Sequence, residues 1–252
     1  TSETDANLDP TNAVTLIFDH DLITDNPKPQ VYTFLLRDHD RYPQQEYFEK
    51  NLKRFLEQCH KEFDRIKVVK KKKVQYIDNV ADYHIVMFDK ESELLSSVFA
   101  IINRQRPDIC AVWNIAYDLP KMKARMERNN MNPVDIMSDP AFPQQCRFIN
   151  INVDNRPGID IADRKTYIKM TSTTKYLDQM QTYANLRKGR KAYGSNSLDN
   201  ISEIELGIHK RRFPKGVDVT NACIKDYWDF VLYNINDVWC QYLIDSVTSD
   251  LY

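Results

Sequence analysis

Three features of the sequence predict an α/β fold. Short runs rich in β-branched and aromatic residues alternate with stretches whose apolar residues recur at helical spacing. Acidic residues stand where strand-like runs give way to loops or helices, which is where α/β proteins place their sites. The last long segment is apolar nearly all round at helical period, the mark of a buried helix. With no long linker or internal repeat, residues 13–252 read as one domain behind a flexible polar tail, residues 1–12.

Taken in order, residues 14–21 (VTLIFDHD) form an apolar strand ending in Asp19 and Asp21. Residues i and i+2 of a strand share a face, so these two carboxylates are expected side by side. Like charges at that spacing repel, and a divalent cation is the usual compensator. His20 then points the other way and is read as packing. Residues 31–36 (VYTFLL) predict a second strand. Asp38-His39-Asp40 repeats the acid pattern, but Arg37, Arg41 and Pro43 beside it indicate a solvated turn. Residues 47–63 place Phe48, Leu52, Phe55 and Cys59 on one helical face. The four lysines at 70–73 read as a solvated face.

Residues 83–88 predict a strand, and 90–103 a helix with Leu94, Leu95, Val98, Ile101 and Ile102 inward. After a break at Pro107, residues 109–113 form a short buried strand that ends in Asn114, Tyr117 and Asp118 and runs into a basic helix. Strand-like pieces at 148–153 and 166–170 flank Asn155-Arg156-Pro157-Gly158 and predict a hairpin excursion over 148–170. Helices are expected at 174–186 and 197–206, separated by a basic, glycine-containing loop. In the final helix, 227–244, Val231, Ile235, Val238 and Tyr242 make a core stripe. Tyr233 and Asp237, four apart, share a different face, and no lysine or arginine of that helix can pair with the acid.

Composition removes several function classes. The 252 residues are 42% hydrophobic and 28% charged, with a net charge of -1, so no global basic field attracts polyanions. Five scattered cysteines without a CxxC pair argue for free thiols in a cytoplasmic setting and against a zinc knuckle. No segment suits a membrane span or a signal peptide, and no glycine-rich nucleotide cradle occurs.

The acids gain meaning as a set. Phe18-Asp19-His20-Asp21, then Asn114-Ile115-Ala116-Tyr117-Asp118, then Tyr233-x-x-x-Asp237 give four carboxylates and one phenol. Two-metal phosphodiester hydrolysis needs such a set: carboxylates holding two cations about 3.5–4 Å apart, with a hydroxyl near the attacking water. This order of motifs resembles that of the DEDDy 3′→5′ proofreading exonuclease domains of family B DNA polymerases. It is most similar to those of T4-like phage replicative polymerases. The filling between the motifs resembles them too: Phe88-Asp-Lys-Glu-Ser-Glu-Leu-Leu95, Thr174-Lys-Tyr-Leu-Asp178, and Ser197-Leu-Asp-Asn-Ile-Ser-Glu-Ile-Glu-Leu206. The similarity covers residues 13–246.

The resemblance implies an RNase H-like, DnaQ-like fold with a mixed five-stranded sheet flanked by helices and a β-hairpin insertion at 148–170. It implies two Mg²⁺ or Mn²⁺ ions held by Asp19, Asp21, Asp118 and Asp237, with Tyr233 positioning the attacking water. Single-stranded or frayed DNA 3′ ends are the implied substrate, contacted by Asn114. Tyr117 and the basic loop residues Arg187, Lys188 and Arg190 are further DNA-binding candidates. The sequence departs from the pattern at Asp21, where the family has a glutamate, and a shorter side chain sets the carboxylate back by about 1–1.5 Å, enough to cost ~10²-fold in rate. A catalytically weak domain that binds single-stranded DNA or serves structurally in a replication complex is the alternative. Tyr193-Gly-Ser-Asn-Ser197 lacks the acids of a polymerase palm motif, so a polymerase partner in cis or in trans is expected. A histidine-type relative needs His at position 232, which is Leu.

Overall fold

A computed structural model describes residues 9–70, 73–188, 194–218 and 221–251. The first half of the chain forms strands β1 (Ala13–Phe18) and β2 (Gln30–Leu36), then helices α1 (Gln45–Lys50) and α2 (Leu52–Phe63). Strands β3 (Arg65–Lys70), β4 (Lys73–Asp78) and β5 (Asp82–Phe88) follow, and then helix α3 (Glu91–Gln105). Next come β6 (Ile109–Val112), α4 (Ile115–Arg128), α5 (Pro133–Met137), β7 (Ile149–Asn152), β8 (Tyr167–Met170) and β9 (Lys175–Asp178). The chain closes with α6 (Gln179–Leu186), α7 (Leu198–Leu206), α8 (Ala222–Lys225) and α9 (Tyr227–Thr248). These elements gather into two compact units, one from Asn12–Lys90 and Leu198–Val247, the other chiefly from Glu91–Ser197.

The first unit is built on β2. Its run VYTFLL is buried on both faces between β1, which pairs with it antiparallel, and β5, which pairs parallel. Helix α9 supplies the other half of this core: Tyr227, Val231, Leu232, Ile235 and Trp239 lie with Val31, Leu35, Phe48 and Phe55. Each such side chain contributes roughly 1.5–3 kcal/mol on burial. The start of α9 is pinned by polar groups, since Asp226 accepts from the Asp229 N–H (3.0 Å) and Gln44 from the Tyr227 N–H (3.1 Å). Its stripe is broader than predicted: Val238 and Tyr242 are only partly buried, whereas Trp239, Cys240, Leu243 and Ile244 are buried.

Two local features of this unit differ from the sequence reading. The helix expected over 47–63 is interrupted at Asn51 (φ -112°, ψ 22°), whose amide donates to the Tyr47 carbonyl and closes α1. The stretch from Arg65 to Asp78, not predicted as strand, is the antiparallel β3–β4 ribbon. Among its described residues only Val68 is deeply buried, so lysines and polar residues hide its alternation. In the lysine run 70–73, Lys70 and Lys73 pair across the ribbon's tip, while Lys71 and Lys72 lie outside the described residues.

In the second unit β6 and β9 pair parallel and β7 and β8 pair antiparallel. Residues 175–178 are therefore strand, where a helix from 174 was predicted. Tyr176 and Asp178 point inward in alternation, and Asp178 then caps α6 by accepting from the Gln181 N–H (2.7 Å). Helices α3 and α4 are joined by a buried ion pair: Arg125 Nε and Nη2 donate to Glu91 (2.8 and 2.5 Å), and Asn129 adds a third bond. Strand pairing among the described residues gives one three-stranded and three two-stranded sheets, so the predicted mixed α/β class stands while the five-stranded ladder is not formed as one sheet. Strands β6 and β9, at four residues each, are too short to carry a wide ladder.

Candidate active site

Strand β1 ends at Phe18, one residue before the first acid, so Asp19 and Asp21 do not share a strand face. Asp19 is exposed in a bend, and its charge bears on the Tyr242 hydroxyl of α9, which burial and then this carboxylate raise above its ordinary value. Asp21 makes an isolated bridge with Asn26. Its carboxylate closes a turn by accepting from the backbone N–H of Ile23 (2.9 Å) and Thr24 (3.3 Å) and from the Thr24 hydroxyl (2.8 Å). That is the habit of aspartate at loop starts, and it directs Asp21's oxygens toward its own backbone. His20 is exposed rather than packed, because with the strand already ended there is no opposite sheet face to cover it.

The other half of the motif set in this unit lies on α9. Asp237 is not left without a cation: Lys210, from the segment after α7, places its Nζ 2.6 Å from Asp237 Oδ2. Both side chains are mostly enclosed, with 18% of Lys210 and 24% of Asp237 exposed. The Lys210 ammonium also lies 4.7 Å from the centre of the Tyr233 ring, which stacks on Phe213 at 4.7 Å. Asp237 Oδ1 is sealed from solvent and has no hydrogen-bond partner among the described residues. Burial pushes the Asp237 carboxyl up to about 6, against the pull of Lys210 and Tyr233, with Asp199 adding to the rise. Burial would lower Lys210, but the charge and hydrogen bond of Asp237 outweigh it and hold the ammonium above its usual value. Tyr233 is raised by burial and by Asp237. The result is a phenol, a protonated amine and a carboxylate with one open oxygen.

Lys210 and Asp199 give no local signal in the sequence as partners of Asp237: its own helix holds no cation near it, and the one that pairs with it comes from the His209-Lys210-Arg211-Arg212 cluster some 25 positions earlier. The location of that cluster is set by further bonds. Asp199 accepts from the Lys210 N–H (2.8 Å), Asn236 from the Arg211 N–H (2.7 Å), and Arg211 pairs with Glu62 and Asp229.

The second motif belongs to the other unit. Asn114 precedes α4, and Asp118 is exposed in its first turn, one position after Tyr117, which is exposed with Lys121 over its ring (5.8 Å). A carboxylate in the first helical turn is favoured by the helix dipole, so Asp118 sits there without strain. The start of α4 is held by Asp178, whose Oδ2 accepts from the Ile115 N–H (3.1 Å) while Oδ1 caps α6; burial raises this carboxyl. Arg187, expected at DNA, is turned inward: it stacks on Tyr183 (3.7 Å) and pairs with Asp250 (2.7 Å), with 11% of its side chain exposed. Lys188 pairs with Asp163 at the surface, and Arg190 lies outside the described residues.

The donors suit a hard divalent cation in kind: they are carboxylates, and the open, buried Asp237 Oδ1 is an acceptor that only a cation or a donor can satisfy. Among the described residues no three His, Cys, Asp or Glu side chains are drawn together as a metal cage, and no helix is long and apolar enough to cross a membrane.

No curated protein sequence matches the chain. The family model described as DNA polymerase family B, exonuclease domain, matches residues 37–201, about two thirds of the sequence. The match takes in Asn114 and Asp118, while Asp19, Asp21, Tyr233 and Asp237 lie on either side of it. With β5, α3, β6, α4, β9 and α6 all inside the matched stretch, this chain belongs to the exonuclease domains of family B DNA polymerases.

Proposed function

We propose that the chain is a 3′→5′ DNA exonuclease of the DEDDy type, removing nucleoside monophosphates from single-stranded or frayed 3′ ends. The observation that carries this reading is the enclosed Asp237, open at Oδ1, with Tyr233 and Lys210 against it. Asp19, Asp21, Asp118 and Asp237 would hold two divalent cations, Mg²⁺ or Mn²⁺; Asp118 enters from the sequence pattern, since it lies in the other unit. When bound, the cations supply the positive charge that phosphodiester hydrolysis needs at the attacking and leaving oxygens. The Tyr233 hydroxyl would orient the attacking water as a neutral phenol, because burial and Asp237 keep it protonated at neutral pH. Lys210 would offset the negative charge of Asp237 before substrate arrives. Asn114, Tyr117 and Lys188 are the proposed contacts to the strand end; Arg187 supports its own unit through Asp250. A polymerase domain, in cis or in trans, and a kinship with T4-like phage enzymes complete the proposal.

One observation favours the weaker alternative, a domain that holds single-stranded DNA without cutting it: both Asp21 oxygens are engaged in the 21–24 turn. Digestion of a 5′-labelled single strand with Mg²⁺ or Mn²⁺ separates the two. The exonuclease reading expects a ladder shortening from the 3′ end that disappears in Asp118→Ala and Asp237→Ala. A wild-type chain that leaves the strand intact while binding it supports the alternative.

A further inference from the structure

The ribbon β3–β4 carries more positive charge than any other stretch of this otherwise neutral chain: residues 65–78 contain six lysines and arginines and one acid. Its register puts Arg65, Lys67 and Val69 opposite Asp78, Tyr76 and Val74, so these six share one face. The reverse face is the anchored one, with Val68 buried and Ile66 packed against the core. The outer face is open, with Tyr76 51% and Val74 55% exposed. Arg65 lies over the Tyr76 ring at 4.6 Å, and its pairing with Asp78 is loose, at 3.6 Å between two exposed side chains. Lys67, directly opposite Tyr76, is exposed as well. Val69, on the same face, is partly covered where the chain packs closely against β3. Gly207 (φ +68°) comes so close that a Cβ there would lie 2.4 Å from the Val69 carbonyl oxygen.

An exposed aromatic ring flanked by cations on a fixed platform is the pattern by which proteins hold unpaired nucleic-acid strands: cations follow the phosphates and the ring stacks on a base. We propose that the outer face of the β3–β4 ribbon is a second DNA contact, separate from the candidate active site. It takes single-stranded DNA, with Tyr76 stacking on a base and Arg65 and Lys67 contacting phosphates. The choice of DNA as the polymer rests on the proposed function. The single strand is favoured over duplex because duplex hides the base faces that Tyr76 would meet. Folding does not need these side chains, since all three are exposed.

The test is fluorescence anisotropy of a dye-labelled oligothymidine about 16 nucleotides long, in EDTA so that nothing is cut. Tyr76→Ala is expected to weaken binding ~5–100-fold. Arg65→Gln with Lys67→Gln is expected to lower the dependence of log K on log salt by about 1.4 between ~50 and ~200 mM salt, the share of two single-strand phosphates. Unchanged affinity in the first variant and an unchanged slope in the second would overturn the proposal, as would equal losses on a blunt duplex. Because binding is read without hydrolysis, a chain that cuts nothing can still show this contact, and a chain that cuts can fail to show it.

Discussion

The enclosed Asp237 makes a thermodynamic prediction independent of activity. Its carboxyl titrates at about 6 in the folded chain against an ordinary 3.8, chiefly because burial disfavours the charged form. A folded-state value raised in this way contributes stability that is fully present below pH 3.8 and is lost as pH rises through about 6. The gap corresponds to about 3 kcal/mol. With 24% of the side chain exposed, solvent screening takes part of it, so a change of about 2–3 kcal/mol is expected. Asp237→Asn keeps the shape and removes the titration. Urea unfolding followed by tryptophan fluorescence in EDTA reads the effect, helped by Trp239 on the same helix. The stability of the variant minus that of wild type should grow by about 2–3 kcal/mol between pH 4 and pH 7.5. A flat difference, or one that falls with pH, would refute an enclosed, cation-seeking carboxylate at this position. Adding Mg²⁺ at pH 7.5 should then stabilise wild type more than the variant, because a ligand of the folded ionised form shifts unfolding by mass action.

Three further outcomes are expected. Arg125→Ala leaves Glu91 buried without its cation, and thermal or urea unfolding should show a loss of about 3–5 kcal/mol, whereas breaking an exposed pair such as Lys50–Glu46 should leave the same measurement almost unchanged. Gly207→Ala combines a left-handed backbone with a Cβ driven to 2.4 Å from a backbone oxygen, so it should destabilise by more than ~1 kcal/mol and lower the melting temperature. Asp21→Glu gives this position the longer carboxylate that the proposed exonuclease reading expects there. In a single-strand digestion assay it should raise the rate by up to ~10²-fold if reach limits turnover, while a fall would show that the 21–24 turn is what the aspartate serves.

What was legible in the sequence follows from how local each signal is. The α/β class and the long helix α9 rest on periodicity that a few consecutive residues carry, and both are present. The 65–78 ribbon is invisible in the sequence because its outer face mixes Val69, Val74 and Tyr76 with charged residues rather than forming a clean polar row, and a solvated lysine run is the commoner meaning of such a sequence. The strand at 175–178 was absorbed into a helix because four residues give too little alternation; only its parallel partner β6, over sixty positions earlier, defines it. The site shows the same divide. Tyr233 and Asp237 sharing a helix face could be read from spacing, but the Lys210 that neutralises the acid arrives through the fold, and so does the burial that raises its carboxyl. The same holds in reverse for Arg187, whose charge suggested a polyanion and whose partner Asp250 lies 63 positions away. Charge in a sequence marks where a counter-charge is required; whether a DNA phosphate or the chain itself supplies it is decided by folding. At Arg187 the chain supplies it through Asp250, and at Asp237 it meets one carboxylate oxygen through Lys210 and leaves the other unpartnered, which is why Asp237 is the stronger candidate for function.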